Sequence, residues 1–163
     1  MAYLPLLWDA LLLGIGATLF MDLAGVAQHL LLRSPLPDYR FVGRWAAYLR
    51  QGRWRHALLF NGLPKAHEKV IGWALHYVTG VVFALLLLLW QGRSWLQAPE
   101  LGSALMVGVA TVLVPWCLMQ PAWGMGLAAR HTPAPWTARR KSLVAHGWYG
   151  IGLWCSGSLL ALS

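Results

Sequence analysis

Four apolar runs, at about residues 4–32, 70–90, 101–127 and 143–162, decide what this chain can become. An α-helix needs about 20 consecutive apolar residues to cross a bilayer. In hydrocarbon every backbone N–H and C=O must find its partner within the protein, which leaves helices as the spanning structure for runs of this length. The expectation is an all-α integral membrane protein, a four-helix transmembrane bundle forming one domain over residues 1–163. Composition agrees, since 58% of the 163 residues are hydrophobic and only 11% are charged. The first run lacks a basic leading region, carries Asp9 and is followed by arginine, so it reads as a permanent span rather than a cleaved signal.

Thirteen Lys and Arg against five acidic residues give a net charge of +8. In a soluble protein that balance would point to nucleic acid. Here the cations cluster between runs one and two and between runs three and four, with Arg93 alone on the other side. Short loops keep Lys and Arg in the cytoplasm, so the charge reads as topology and no nucleic-acid partner is expected. Both basic loops are placed in the cytoplasm, with both termini and the loop at 91–100 on the periplasmic side.

The first basic loop, about residues 36–67, interleaves cations with rings in DYRFVGRWAAYLRQGRWRHALLF. Such a segment lies amphipathically in the headgroup layer, rings inward and guanidinium groups towards phosphate. Its partners are the lipid bilayer and anionic headgroups, and the candidate anion-binding residues are Arg44, Trp45, Arg53, Arg55 and His56. Cys117 and Cys155 fall inside apolar runs without metal-ligand spacing, and read as small core residues.

Runs two and four share a pattern, Gly72, His76, Gly80 in one and Ser142, His146, Gly150 in the other, at four-residue steps. Runs one and three share an Ala-Thr pair, Ala17-Thr18 and Ala110-Thr111. Two tandem two-span repeats follow as an expectation, parallel because each returns the chain to its starting side. Run one adds a stripe of Gly14, Thr18, Asp22, Gly25 and His29, spaced to fall on one helix face. Asp22 lies eleven residues from Arg33, about 16 Å deep at helical rise.

A carboxylate at that depth costs several kcal/mol unless it is paired, protonated or wet, which makes it a functional hypothesis. The candidate ligand-binding set is Asp22, His76, His146, Gln120 and Thr18, with Pro115 and Pro121 breaking the third run beside Gln120. Three readings stand. The cluster binds or passes a small ligand, ion or proton, for which four spans call for a homodimer; it locks a structural or accessory subunit of a larger membrane complex; or it holds a redox centre. For the last, His76, His146 and Asp22 are the metal candidates and the two histidines would be haem ligands; no cofactor is specified. No nucleophile elbow, phosphate loop or paired acid is present, so no catalytic residue is named.

The motifs GATLFMDL, VGRW, Arg55-His56, GWALHY, LMQPAWGMG, the HTP of the third loop and SLVAH run in order along the chain. In them the sequence resembles a family of four-span bacterial inner-membrane proteins known as domain of unknown function number twenty-nine thirty-eight. The resemblance implies a location in that membrane and places Asp22, Arg44, Trp45, His56, His76, Gln120 and His146 at motif positions. Ala24-Gly25, after Asp22-Leu23, is smaller than the Trp-Ala-like pair expected there.

Overall fold

The computed structural model describes residues 3–55 and 59–162, and among them the chain is helical with no strand. Helix α1 runs Tyr3–Leu32, a Leu- and Ala-rich stretch with no proline beyond its first turn. It stops at Arg33, whose φ of 53° is the left-handed value of a helix terminus, and Pro35 bars resumption. The His29 Nδ1–H donates to the Ser34 carbonyl at 2.8 Å across this end. Helix α2, Arg40–Leu49, is amphipathic and buries Gly43, Arg44 and Tyr48. Helix α3 is Glu68–Gln91. A 3-10 turn at Arg93–Gln97 leads to α4, Leu101–Ala110. A π-helical turn, Pro115–Met119, and the single turn α5, Gln120–Ala122, follow. Helix α6 closes the chain at Pro135–Leu160.

Three segments are long and apolar enough to cross a membrane: Leu4–Leu32, Glu68–Gln91 and Leu101–Ala122. Four helices were expected to make the bundle, but the described residues hold five of ten residues or more, α2 being the fifth. The third run also ends earlier than residue 127. Gly124 and Gly126, at φ of 82° and 74°, turn the backbone out of the helix after Ala122. Helix α6 starts earlier than residue 143, taking Arg139, Arg140 and Lys141 into its first turns. Glycines, serines, tryptophans and His146 dilute its apolar content, and it is not among the three apolar segments.

The chain divides into two compact units. The first comprises Met1–Leu36, Tyr77–Thr111 and Val144–Ser163. Its core is Ala10, Leu13, Ala17, Ala84, Leu87, Leu88, Trp95, Ala104, Tyr149 and Leu153. Helices approach through glycine: a Cβ on Gly14 would lie 2.5 Å from the Val81 Cα, and one on Gly108 would lie 2.5 Å from the Gly150 Cα. Such contact brings backbones together and gains dispersion between closely packed atoms. The Tyr149 hydroxyl donates to the Gly80 carbonyl at 2.7 Å, tying α6 to α3.

The second unit comprises Pro37–His76 and Val112–Leu143. Here α2 lies on the first turns of α3. A Cβ on Gly43 would run into the Glu68 carbonyl, and one on Gly72 into the Tyr39 carbonyl. Only hydrogen at those two positions allows the crossing. Phe41 meets Phe60 edge-on at 4.8 Å between centroids, and Phe60 meets Trp123 at 5.9 Å.

Candidate functional site

In the first unit, α1 presents Asp22, half-buried, and α3 presents Tyr77 one residue beyond His76. The Tyr77 hydroxyl donates to Asp22 Oδ2 at 3.1 Å. Helix α6 carries His146, whose Nδ1 is 2.7 Å from Thr111 Oγ1, just past the end of α4. Thr111 Oγ1 is also 2.6 Å from the Gly108 carbonyl. A carbonyl only accepts, so the single hydroxyl proton goes to Gly108 and His146 Nδ1–H donates to Thr111. Asp22 and His146 are thus each hydrogen-bonded to a hydroxyl from a neighbouring element. Thr18, expected in the ligand set, instead donates to the Gly14 carbonyl of its own helix at 2.7 Å and is 1% exposed beneath Gly80.

His76 and Gln120 belong to the second unit. The His76 ring stacks on Tyr39 at 4.1 Å and 23°, with Trp73 edge-on at 5.8 Å. Gln120 is buried, and its Oε1 has no hydrogen-bond partner. Among the described residues no three His, Cys, Asp or Glu side chains gather to hold a metal ion.

Arg44, expected among headgroup-facing cations, is buried at 5% exposure. Its Nε and Nη2 bind Glu68 Oε2 and Oε1 at 2.8 and 2.9 Å, and Nη1 donates to the Leu59 and Gly62 carbonyls at 2.9 Å each. The Lys65 backbone N–H completes the shell of Glu68 at 2.9 Å. The hydrogen-bonded carboxylate of Glu68 holds the Arg44 guanidinium above its ordinary pKa. A planar fork matching a carboxylate explains why arginine closes this loop. Trp45 is likewise engaged within the protein, its indole N–H donating to the Trp54 carbonyl at 3.0 Å. Arg53 and Arg55 are exposed, whereas His56 lies outside the described residues.

Glu68, Tyr77 and Thr111 are not among the site residues expected from the sequence. Tyr77 and Thr111 stand beside residues already singled out, in the His76 motif and the Ala110-Thr111 match, and a polar side chain within an apolar run was the available signal.

The family model described as protein of unknown function (DUF2938) matches residues 11–160, nearly the whole chain. The chain belongs to this family. The DUF2938 match takes in Asp22, Tyr77, Thr111, His146 and the Arg44–Glu68 pair, while Asp9 lies before it. No curated protein and no solved structure matches the chain.

Proposed function

We propose that this DUF2938 protein is a four-span protein of the bacterial inner membrane that binds or passes a small ligand, ion or proton within its helices, the proton being the best-supported passenger. The observation that carries the reading is the pairing of Asp22 with the Tyr77 hydroxyl and of His146 with the Thr111 hydroxyl. Ionisable groups inside apolar helices are costly, and they mark ion and proton routes. A hydroxyl both gives and takes a hydrogen bond, so each pair can hand on a proton without moving a charged side chain far. The carboxylate and the imidazole supply the two sites where a proton would rest.

In this reading α1, α3, the run Leu101–Ala122 and α6 cross the bilayer, with both basic stretches in the cytoplasm and the ends of the chain on the periplasmic side. The ion pair of Arg93 with Asp9 supports it, because it ties the start of α1 to the turn after α3. The exposed Arg50, Arg53 and Arg55, among exposed Leu49, Trp54, Phe60 and Leu63, form the headgroup contact.

Purified protein in liposomes holding a pH-sensitive dye tests the passage. Under an imposed potassium diffusion potential, proton entry is expected to exceed that of protein-free vesicles and to fall to their level in Asp22→Asn, with Tyr77→Phe between. Equal entry in protein-bearing and empty vesicles would refute the reading.

A further inference from the structure

The segment from Pro115 to Ala129 is held in a costly conformation in two respects. The first is a set of buried polar atoms. Gln120 is 7% exposed, and neither its Oε1 nor the buried Nε1 atoms of Trp116 and Trp123 has a hydrogen-bond partner. These are three of the four such atoms among the described residues, the other being Trp148 Nε1. Trp116, Gln120 and Trp123 stand four and three residues apart along one helical path, from the π-helical turn through α5 to the residue that ends it. That path changes here from the π-helical turn Pro115–Met119 to α5, and π-bulges recur at functional sites. The second respect is the backbone that follows. Gly124, Gly126, Ala128 and Ala129 all have positive φ, 82°, 74°, 47° and 59°. At the two alanines this is strain that glycine would avoid, and such strain concentrates at binding and switch sites. Arg139 Nε donates to the Ala128 carbonyl at 2.8 Å and pins the loop.

We propose that this segment is a binding site for the hydroxyl group of an uncharged, membrane-soluble phenol or alcohol. Two indole N–H donors and one amide oxygen acceptor are the complement of a hydroxyl, which has two lone pairs to receive them and one proton to give. A carboxylate or phosphodiester anion brings no proton for Gln120 Oε1, and an ammonium brings no lone pair for the indoles. The buried guanidinium of this unit, Arg44, is committed to Glu68, Leu59 and Gly62 and offers no charge to an anion. Aromatic surface is present, since Phe60 stands edge-on to Trp123 at 86°, and it suits a phenol ring. Because the three atoms are shielded, the guest enters as the loop at 124–129 relaxes, and the strain in that loop lowers the cost of opening. The site is independent of Asp22 and His146. A water molecule offers the same oxygen, and the experiment separates the two sources.

The full chain in nanodiscs, labelled with nitrogen-15 at tryptophan, gives indole N–H signals that Trp116→Phe and Trp123→Phe assign. Added p-cresol is expected to move both signals saturably. 4-Methylanisole, of like shape but without the hydroxyl proton, is expected to bind roughly tenfold more weakly, because it leaves the buried Gln120 acceptor unmet. In Gln120→Leu the two probes should bind alike, and Asp22→Asn should leave the p-cresol shifts intact whatever becomes of proton passage. The proposal is overturned if neither signal moves, if the methyl ether equals p-cresol on the unmodified chain, or if both indole protons contact a bound water that p-cresol does not displace.

Discussion

The Arg44 guanidinium grips the Glu68 carboxylate in a two-pronged, buried contact that joins α2 to the first turn of α3. Two charges removed from water are stable together and unstable apart, since each alone keeps its desolvation cost. Arg44→Leu or Glu68→Leu singly is expected to cost about 3–5 kcal/mol, and the double change much less than the sum. Denaturant unfolding of the purified protein in detergent checks this through the double-mutant cycle. Strict additivity would mean the pair is uncoupled.

Gly43 and Gly72 allow that contact to form, because any side-chain carbon there would enter a carbonyl of the opposing helix. Gly43→Ala and Gly72→Ala should therefore separate α2 from α3 and abolish most of the stability that the ion pair supplies. At Gly25 and Gly147 a Cβ would meet nothing within 4 Å, so alanine there points into open space. At these two helix positions alanine should be neutral or stabilising by about 0.5–1 kcal/mol. Thermal melts of the four variants separate close approach from helix propensity.

The three long apolar helices and the amphipathic α2 were legible because hydropathy and ring-cation alternation are written along the chain, residue by residue. Partner choice is not written that way. Glu68 stood at the end of a predominantly basic loop, 24 residues from Arg44, and only the crossing at Gly43 and Gly72 brings them together. Thr18 fell on the right helix face, but a threonine in a helix can turn its hydroxyl to the carbonyl one turn back, and this one does. The end of the third run was misjudged because Trp123 and Met125 are apolar, whereas the positive φ of Gly124 and Gly126 decides where the helix stops.

The Thr111 hydroxyl, with its proton spent on Gly108, fixes the tautomer of His146. Neutral His146 should carry its proton on Nδ1 and present Nε2 as the acceptor. Nitrogen-15 spectra of labelled histidine read this directly. Thr111→Val should shift the population away from the Nδ1–H form and cost about 1 kcal/mol of stability. A dominant Nε2–H form in the unmodified protein would reverse the donor assignment and weaken the relay built on it.

The proposed headgroup contact rests on cations that the fold leaves exposed. Arg53 and Arg55 are exposed on either side of Trp54, itself 44% exposed, and Leu63 is 81% exposed. Each basic residue near an anionic surface is worth about 1 kcal/mol, or roughly fivefold in affinity. Arg53→Gln and Arg55→Gln together should lower the preference for anionic over zwitterionic lipid about 25-fold, read by lipid competition in nanodiscs. Arg44→Gln, by contrast, should reduce stability and not that preference.

Three segments meet the length and apolarity of a span, and α6 is the helix whose crossing has to be tested. Its position decides the side on which Leu162 lies. Four crossings return the chain to the side of the turn at 92–100; three leave Leu162 with the basic residues Arg139, Arg140 and Lys141. With Cys117 and Cys155 replaced by alanine, single cysteines report each side to a membrane-impermeant maleimide. Gln97→Cys is expected to label in intact spheroplasts, and Arg53→Cys and Arg140→Cys only after lysis. Leu162, 86% exposed, is the deciding position. Labelling of Leu162→Cys before lysis supports four spans, and protection until lysis would leave α6 on the cytoplasmic side, removing His146 from the membrane interior and with it the second resting site for a proton.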